Sequence, residues 1–116
     1  MKTIFIGYPN CSTCKKAYKA LQELGVEAEY RNIKEENPTK EEIQDWISKG
    51  VSLNSLFNTS GLLYREYNVK ELRKTAQPEE LIELLSQHGM LIKRPIVIQG
   101  DIIIIGNKIK DYESLK

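Results

Sequence analysis

The spacing of apolar residues changes several times along the chain, and each change predicts a different element. Thr3-Ile4-Phe5-Ile6 is a short β-branched and aromatic run, which predicts a strand. From Ser12 to Leu24 the apolar positions recur three or four residues apart, which predicts a helix that ends at Gly25. Residues 26–32 predict a second strand. Strand, helix and strand in this order form a βαβ unit, so we expect the two strands to be parallel.

The middle of the chain has a helical pattern. Thr39 and Glu42 fit the S/T-x-x-E capping box and predict the start of a helix. Residues 51–75 are less regular and predict short helices. Pro78 suits the first position of a further helix, and Gly89 suits its end.

The last part of the chain predicts a β-hairpin over residues 96–105, with a turn at 99–101, and a short final helix at 111–115. The hairpin strands are almost wholly apolar, so we expect helices to cover both faces of the sheet. The order of the elements predicts an α/β fold of the thioredoxin-like type. We expect residues 1–116 to form one such domain, with a helical insertion at about 38–92.

Composition narrows the class of protein. The chain has 116 residues, of which 41% are hydrophobic, so it can form a core, and its formal net charge of +1 gives no reason to expect direct nucleic-acid or membrane binding. It has no apolar run near the roughly 18 residues of a membrane span. The apolar start is too short for a signal peptide. We therefore expect a cytoplasmic monomer, in a compartment where thiols are kept reduced.

Both cysteines, Cys11 and Cys14, lie in the segment GYPNCSTCKKA, directly after the first predicted strand. A structural disulfide between them would close a loop too small to constrain the unfolded chain much. A structural zinc site usually needs four Cys or His ligands, and the chain offers only His88 in addition, so we expect no metal. His88 is better explained as a helix C-terminal cap. Two readings of the thiols remain open: a redox pair, or inert small side chains.

The position of the pair favours the redox reading. Cys11 falls where the first helix begins, so unpaired backbone N–H groups and the positive end of the helix dipole face it. Lys15 and Lys16 add positive charge one turn further on. These effects favour the thiolate, which is the nucleophilic form. We therefore expect Cys11 to attack, Cys14 to act as the resolving thiol, and Lys15 to help tune the thiol pKa.

The segments PNCSTCKKA, IKRPIVI, GDIIIIGNK and NTSGLLYREYNVKEL resemble the arsenate reductase (ArsC)/Spx family of thioredoxin-like proteins over nearly the whole chain. The resemblance implies that Cys11 is the catalytic cysteine and that Pro95 is a cis-proline facing the cysteine loop. It also implies that Arg94 binds an oxyanion beside the thiolate. Without the resemblance, Arg94 would be interpreted as an ordinary charged residue on the protein surface.

The chain also departs from the family pattern. The reductases carry two further arginines around the anion, where this chain has residues 58–61 and 106–108; Arg65 and Lys108 are candidate replacements. A second cysteine at position 14 is typical of the Spx-type regulators instead. We therefore expect a thiol-disulfide redox protein that is not an efficient arsenate reductase. It would have no bound cofactor and would use thioredoxin, glutaredoxin or a small glutathione-like thiol as reductant. The alternative is a redox-sensing regulator that binds the RNA polymerase alpha subunit.

Overall fold

In the computed structural model, which describes residues 2–116, the described strands form one mixed sheet. The strands are β1 (Thr3–Gly7), β2 (Glu29–Asn32), β3 (Ile96–Gln99) and β4 (Ile102–Ile105). Their order in space is β2-β1-β3-β4, so β2 and β4 are the edges. β1 is parallel to β2 and antiparallel to β3, and β3 is antiparallel to β4. The predicted parallel βαβ start and antiparallel hairpin are confirmed.

The chain divides into two compact units. The first takes in the chain up to Ile33 and Arg94–Lys116; the second is Lys34–Lys93, which spans the segment predicted as a helical insertion. The first unit holds the sheet, α1 (Ser12–Glu23) and a 3₁₀ segment, Ile109–Leu115. The helices of the second unit are α2 (Lys40–Ser48), α3 (Leu62–Glu66), α4 (Val69–Thr75) and α5 (Pro78–Gln87), with 3₁₀ segments at Leu53–Leu56 and Gly89–Leu91. No helix among the described residues is long and apolar enough to span a membrane.

The end of α1 explains why β2 is shorter than the predicted 26–32. Gly25 adopts a φ of +80°, and its N–H donates to the Gln22 carbonyl (3.0 Å) while the Val26 N–H donates to the Leu21 carbonyl (3.1 Å). This is the Schellman arrangement, in which the residues after the helix close its last turn. The Val26 N–H therefore closes the last turn of α1, and the Val26 side chain packs in the core. β2 begins only at Glu29 for this reason.

The ends of α2 and α5 follow the sequence signals. The Thr39 hydroxyl accepts from the Glu42 N–H (3.1 Å), and the Glu42 carboxylate accepts from the Thr39 N–H (2.9 Å), so the capping box is confirmed. Gly50, with a φ of +105°, follows the end of α2. Pro78 occupies the start of α5 as predicted. The predicted short helices between residues 51 and 75 are also present.

The core of the first unit lies between one face of the sheet, α1 and the final 3₁₀ segment. Its buried side chains are Phe5, Cys14, Ala17, Leu21, Val26, Val97, Ile104, Tyr112 and Leu115. Ile6, Ile96 and Ile105 alternate with these along the strands and are also buried, so residues on both faces of the sheet are shielded from solvent at these positions. The expectation is wrong for the start of β4, where Ile102 is 38% exposed because β4 is an edge strand.

Candidate redox site at the start of the first helix

Cys11 is the residue at which the chain turns from the loop after β1 into α1. Its backbone is extended, with φ −89° and ψ 117°, and it is the N-cap of α1. The Cys11 N–H donates to the Tyr8 carbonyl at 2.9 Å, and the Cys11 carbonyl accepts from the Lys15 N–H at 3.1 Å. The side chain is partly exposed. The Cys11 sulfur therefore stands at the positive end of the helix and can be reached from solvent.

Opposing effects act on the acidity of Cys11. Burial is the largest single effect and raises its pKa. The backbone N–H and the thiol of Cys14, the Arg94 guanidinium and the Thr13 N–H act in the other direction, and together they lower the pKa of Cys11 below its usual value. The thiolate is the nucleophilic form of a cysteine, so this lowered pKa favours reaction at Cys11.

Cys14 lies one turn further along and has the opposite environment. Its side chain is fully buried in the core of the first unit. The Tyr8 N–H donates to the Cys14 sulfur at 3.5 Å. Burial nevertheless raises the pKa of Cys14 to about 11, and the thiolate of Cys11 adds to this rise. At neutral pH Cys14 is therefore a protonated thiol that donates its hydrogen bond to Cys11.

Gly7, the last residue of β1, makes room for this arrangement. A Cβ at Gly7 would lie 2.6 Å from a ring carbon of Phe5, 3.0 Å from the Tyr30 hydroxyl and 3.3 Å from the Cys14 sulfur. A side chain at position 7 would therefore displace the groups around the buried thiol. Gly7, Tyr8 and Tyr30 were not predicted to belong to the site; the available signal was a glycine between an apolar strand and the cysteine loop.

Arg94 belongs to the same unit as the cysteines. The Arg94–Pro95 peptide bond is cis, as the resemblance implied. The Arg94 guanidinium lies over the ring of Tyr8, 5.9 Å from its centroid, and its charge helps to lower the pKa of both thiols. The structure thus brings together Cys11, Cys14 and Arg94.

The other candidate residues are placed differently. Lys15 is exposed in the first turn of α1, so its tuning role stays a prediction. Lys108 is an exposed residue just before the final 3₁₀ segment, and Arg65 lies on α3 in the second unit. His88 follows the end of α5, where its ring packs against Tyr67 with 4.9 Å between the ring centroids.

Residues 2–116 contain no cluster of three or more His, Cys, Asp or Glu side chains that could hold a metal ion. Both cysteines are free thiols in the structure. The chemistry that the described side chains offer at this site is therefore that of two unequal thiols beside an arginine.

Comparison with solved structures defines the class of protein. An ArsC-family-related protein from Bacteroides fragilis superposes with a TM-score of 0.94 at 43% identity, covering 100% of this chain and 98% of that one. The predicted thioredoxin-like α/β fold of the ArsC type is therefore confirmed. The model of the ArsC family matches residues 6–115, and the chain belongs to this family. The Bacillus subtilis (strain 168) protein YusI is 43% identical over 115 residues, covering 98% of each chain.

Relatives with named functions fall into two groups. The regulatory protein MgsR of Bacillus subtilis (strain 168) is 27% identical over 88% of this chain and 80% of its own length. The arsenate reductase of Haemophilus influenzae is 29% identical over 91% of each chain. The relatives with named functions therefore include both an enzyme and a regulatory protein.

Proposed function

We propose that this protein is a thiol-disulfide redox protein in which Cys11 is the nucleophile and Cys14 the resolving thiol. The observation that carries the proposal is the different placement of two thiols one helical turn apart: Cys11 is the partly exposed N-cap of α1, whereas Cys14 is fully buried in the core. The pKa of Cys11 is lowered although burial opposes this, whereas burial raises that of Cys14 to about 11. In a pair of this kind, the thiol with the lowered pKa attacks first, and the buried thiol reacts in the second step.

The proposed reaction is thiol–disulfide exchange in two steps. The Cys11 thiolate attacks a sulfur of an oxidised substrate, forming a mixed disulfide and releasing the other half of the substrate as a thiolate. Cys14 then loses its proton and attacks the Cys11 sulfur, which forms the Cys11–Cys14 disulfide and releases the second half. Thioredoxin, glutaredoxin or a small glutathione-like thiol returns the pair to the dithiol, and no bound cofactor is needed. Such a cycle suits the cytoplasm, where these reductants are found.

Arsenate is expected to be a poor substrate. A reductase has to hold a tetrahedral oxyanion next to a thiolate of the same charge, which requires several positive donors. Arg94 supplies one, while residues 58–61 and 106–108 contain no arginine where the family pattern has two more. Each missing charge-assisted hydrogen bond weakens binding by roughly 1.5–3 kcal/mol, so the loss of two reduces turnover by orders of magnitude.

A redox-sensing regulator is the second candidate, because the named relatives include the regulatory protein MgsR. In that case the same disulfide would change the affinity for a protein partner, and the resemblance noted from the sequence suggests the RNA polymerase alpha subunit. A pull-down with purified polymerase, using reduced and oxidised protein, distinguishes the two. A specific complex that depends on the redox state favours the regulator.

The proposed roles can be tested by brief iodoacetamide labelling of the reduced protein at mildly acidic pH, followed by mass spectrometry. We expect modification at Cys11 and little at Cys14. After oxidation with glutathione disulfide, wild-type protein should contain an internal Cys11–Cys14 disulfide, whereas Cys14→Ser should retain a mixed disulfide between Cys11 and glutathione. If Cys14 is labelled first, or if no internal disulfide forms, the proposed function is wrong.

A further inference from the structure

Tyr30 is a residue of the edge strand β2 whose side chain packs against the core cluster that contains Cys14. In the register of the sheet it pairs with Phe5 of β1, so both side chains lie on the face that α1 covers. Its ring centroid lies 5.2 Å from that of Phe5 and 5.1 Å from that of Tyr18. These contacts fix the ring plane and therefore the direction in which the hydroxyl points.

The hydroxyl of Tyr30 borders the same open space as the resolving thiol. The Tyr30 oxygen and the Cys14 sulfur lie 3.0 Å and 3.3 Å from a single point, the position that a Cβ on Gly7 would occupy. Gly7 leaves this space open, so a phenolic O–H and the buried sulfur share a small gap in the core. Tyr18, the neighbouring tyrosine, has its hydroxyl directed elsewhere, toward the Ala28 carbonyl at 3.4 Å.

We propose that Tyr30 is a positioning residue for the resolving step, in which its hydroxyl donates a hydrogen bond to the Cys14 sulfur as that sulfur becomes a thiolate. The inference rests on the proposed function, because it assigns a partner to the thiol that closes the disulfide. It adds a residue from β2 to a site otherwise built from the cysteine loop and Arg94.

The need for such a donor follows from the resolving step. The Cys14 proton leaves to solvent, the Cys14 thiolate attacks the Cys11 sulfur, the Cys11–Cys14 bond forms, and the electron pair of the broken mixed disulfide leaves on the departing thiolate. Cys14 is fully buried, so its charged form is poorly solvated at the moment of attack. A hydrogen bond from a fixed phenol replaces part of the missing water.

Tyr30 remains protonated over the working range of the reaction. Burial, followed by the charges that Cys14 and Cys11 carry when they are ionised, raises the pKa of Tyr30 to about 12. The phenol therefore keeps its proton at neutral pH and acts as a donor. The alternative is that Tyr30 only packs against Phe5 and Tyr18, in which case its hydroxyl makes no difference to the thiols.

Tyr30→Phe tests the proposal because it removes the hydroxyl and keeps the ring contacts, with Tyr18→Phe as the matched control. The reduced protein is mixed with one equivalent of dithiobis(nitrobenzoate), and the released nitrothiophenolate is followed by absorbance. Attack by Cys11 gives the first phase, and resolution by Cys14 gives the second. We expect Tyr30→Phe to slow the second phase by roughly tenfold with little change in the first, and to move its pH profile upward. Tyr18→Phe should leave both phases unchanged.

The possible outcomes distinguish failure of the proposed function from failure of the role assigned to Tyr30. If wild-type protein shows no second phase, the proposed function itself fails. If wild-type protein resolves but Tyr30→Phe resolves at the same rate and with the same pH profile, only the role of Tyr30 is overturned. Equal slowing by Tyr30→Phe and Tyr18→Phe also overturns it, because that result indicates general disturbance of the aromatic cluster.

Discussion

At the scale of single residues, two chemically identical thiols acquire different properties within one helical turn. Their roles could be predicted from position, since Cys11 begins a helix and Cys14 falls on its apolar face. The surroundings of the buried thiol could not be predicted so completely. The burial that raises the pKa of Cys14, its hydrogen bond from the Tyr8 N–H and the open space at Gly7 arise only after β1, β2 and α1 have packed together. Sequence spacing does not encode such contacts.

Arg94 is expected to make the disulfide more oxidising. Its charge stabilises the thiolates and therefore the reduced form, so Arg94→Ala should raise the pKa of Cys11 and lower the reduction potential of the pair. A lost contact of about 1.4 kcal/mol corresponds to roughly 30 mV for a two-electron couple. Arg94→Lys should recover part of the change, because it keeps the charge but not the planar guanidinium.

The measurements are the pH dependence of iodoacetamide labelling at Cys11 and redox equilibration against glutathione buffers. Lys93→Ala serves as the control, since it removes a neighbouring charge whose side chain is exposed. Unchanged labelling and potential in Arg94→Ala would mean that the arginine has no influence on the thiols.

At the scale of elements, helix ends were predicted better than strand ends. Thr39, Glu42 and Gly50 each carry a local signal that acts within a few residues, and the structure realises all three. The start of β2 depends instead on how many residues after Gly25 are needed to close α1 and fill the core, which is a tertiary effect. The exposed start of β4 likewise follows from its place at the edge of the sheet, which strand composition alone does not reveal.

The capping box of α2 should make a measurable contribution to stability. Thr39→Ala leaves the Glu42 N–H without its acceptor at the first turn and should lower the free energy of unfolding by about 1 kcal/mol. Urea denaturation of the reduced protein measures this change. Thr59→Ala, at an exposed turn position, is the control and should have little effect. Equal stability of the Thr39 variant and wild type would mean that the cap contributes nothing net.

At the scale of the whole molecule, the site depends on joining distant parts of the chain. Ile6 of β1 pairs with Ile96 of β3, so the cysteine loop that follows β1 and the Arg94–Pro95 pair that precedes β3 lie at the same end of the sheet. This antiparallel pairing brings residues more than eighty positions apart in sequence into one unit. The site could be anticipated only through the resemblance to a known fold, because no local pattern links the two segments.

The isoleucines of β4 also determine how the protein behaves when it is heated. Ile102–Ile105 form an uncharged run at a sheet edge, and such segments pair readily between unfolded chains. We expect heating to end in aggregation, so that the folded signal is not recovered on cooling. Ile102→Lys places a charge where the side chain is already 38% exposed and should increase recovery of the folded signal with little loss of stability.

Circular dichroism over repeated heating cycles measures the recovery of the folded signal and the stability, and light scattering measures aggregation. Full recovery of the wild type would show that the exposed edge does not cause aggregation; otherwise, aggregation rather than unfolding limits how long this protein stays folded and soluble at high temperature.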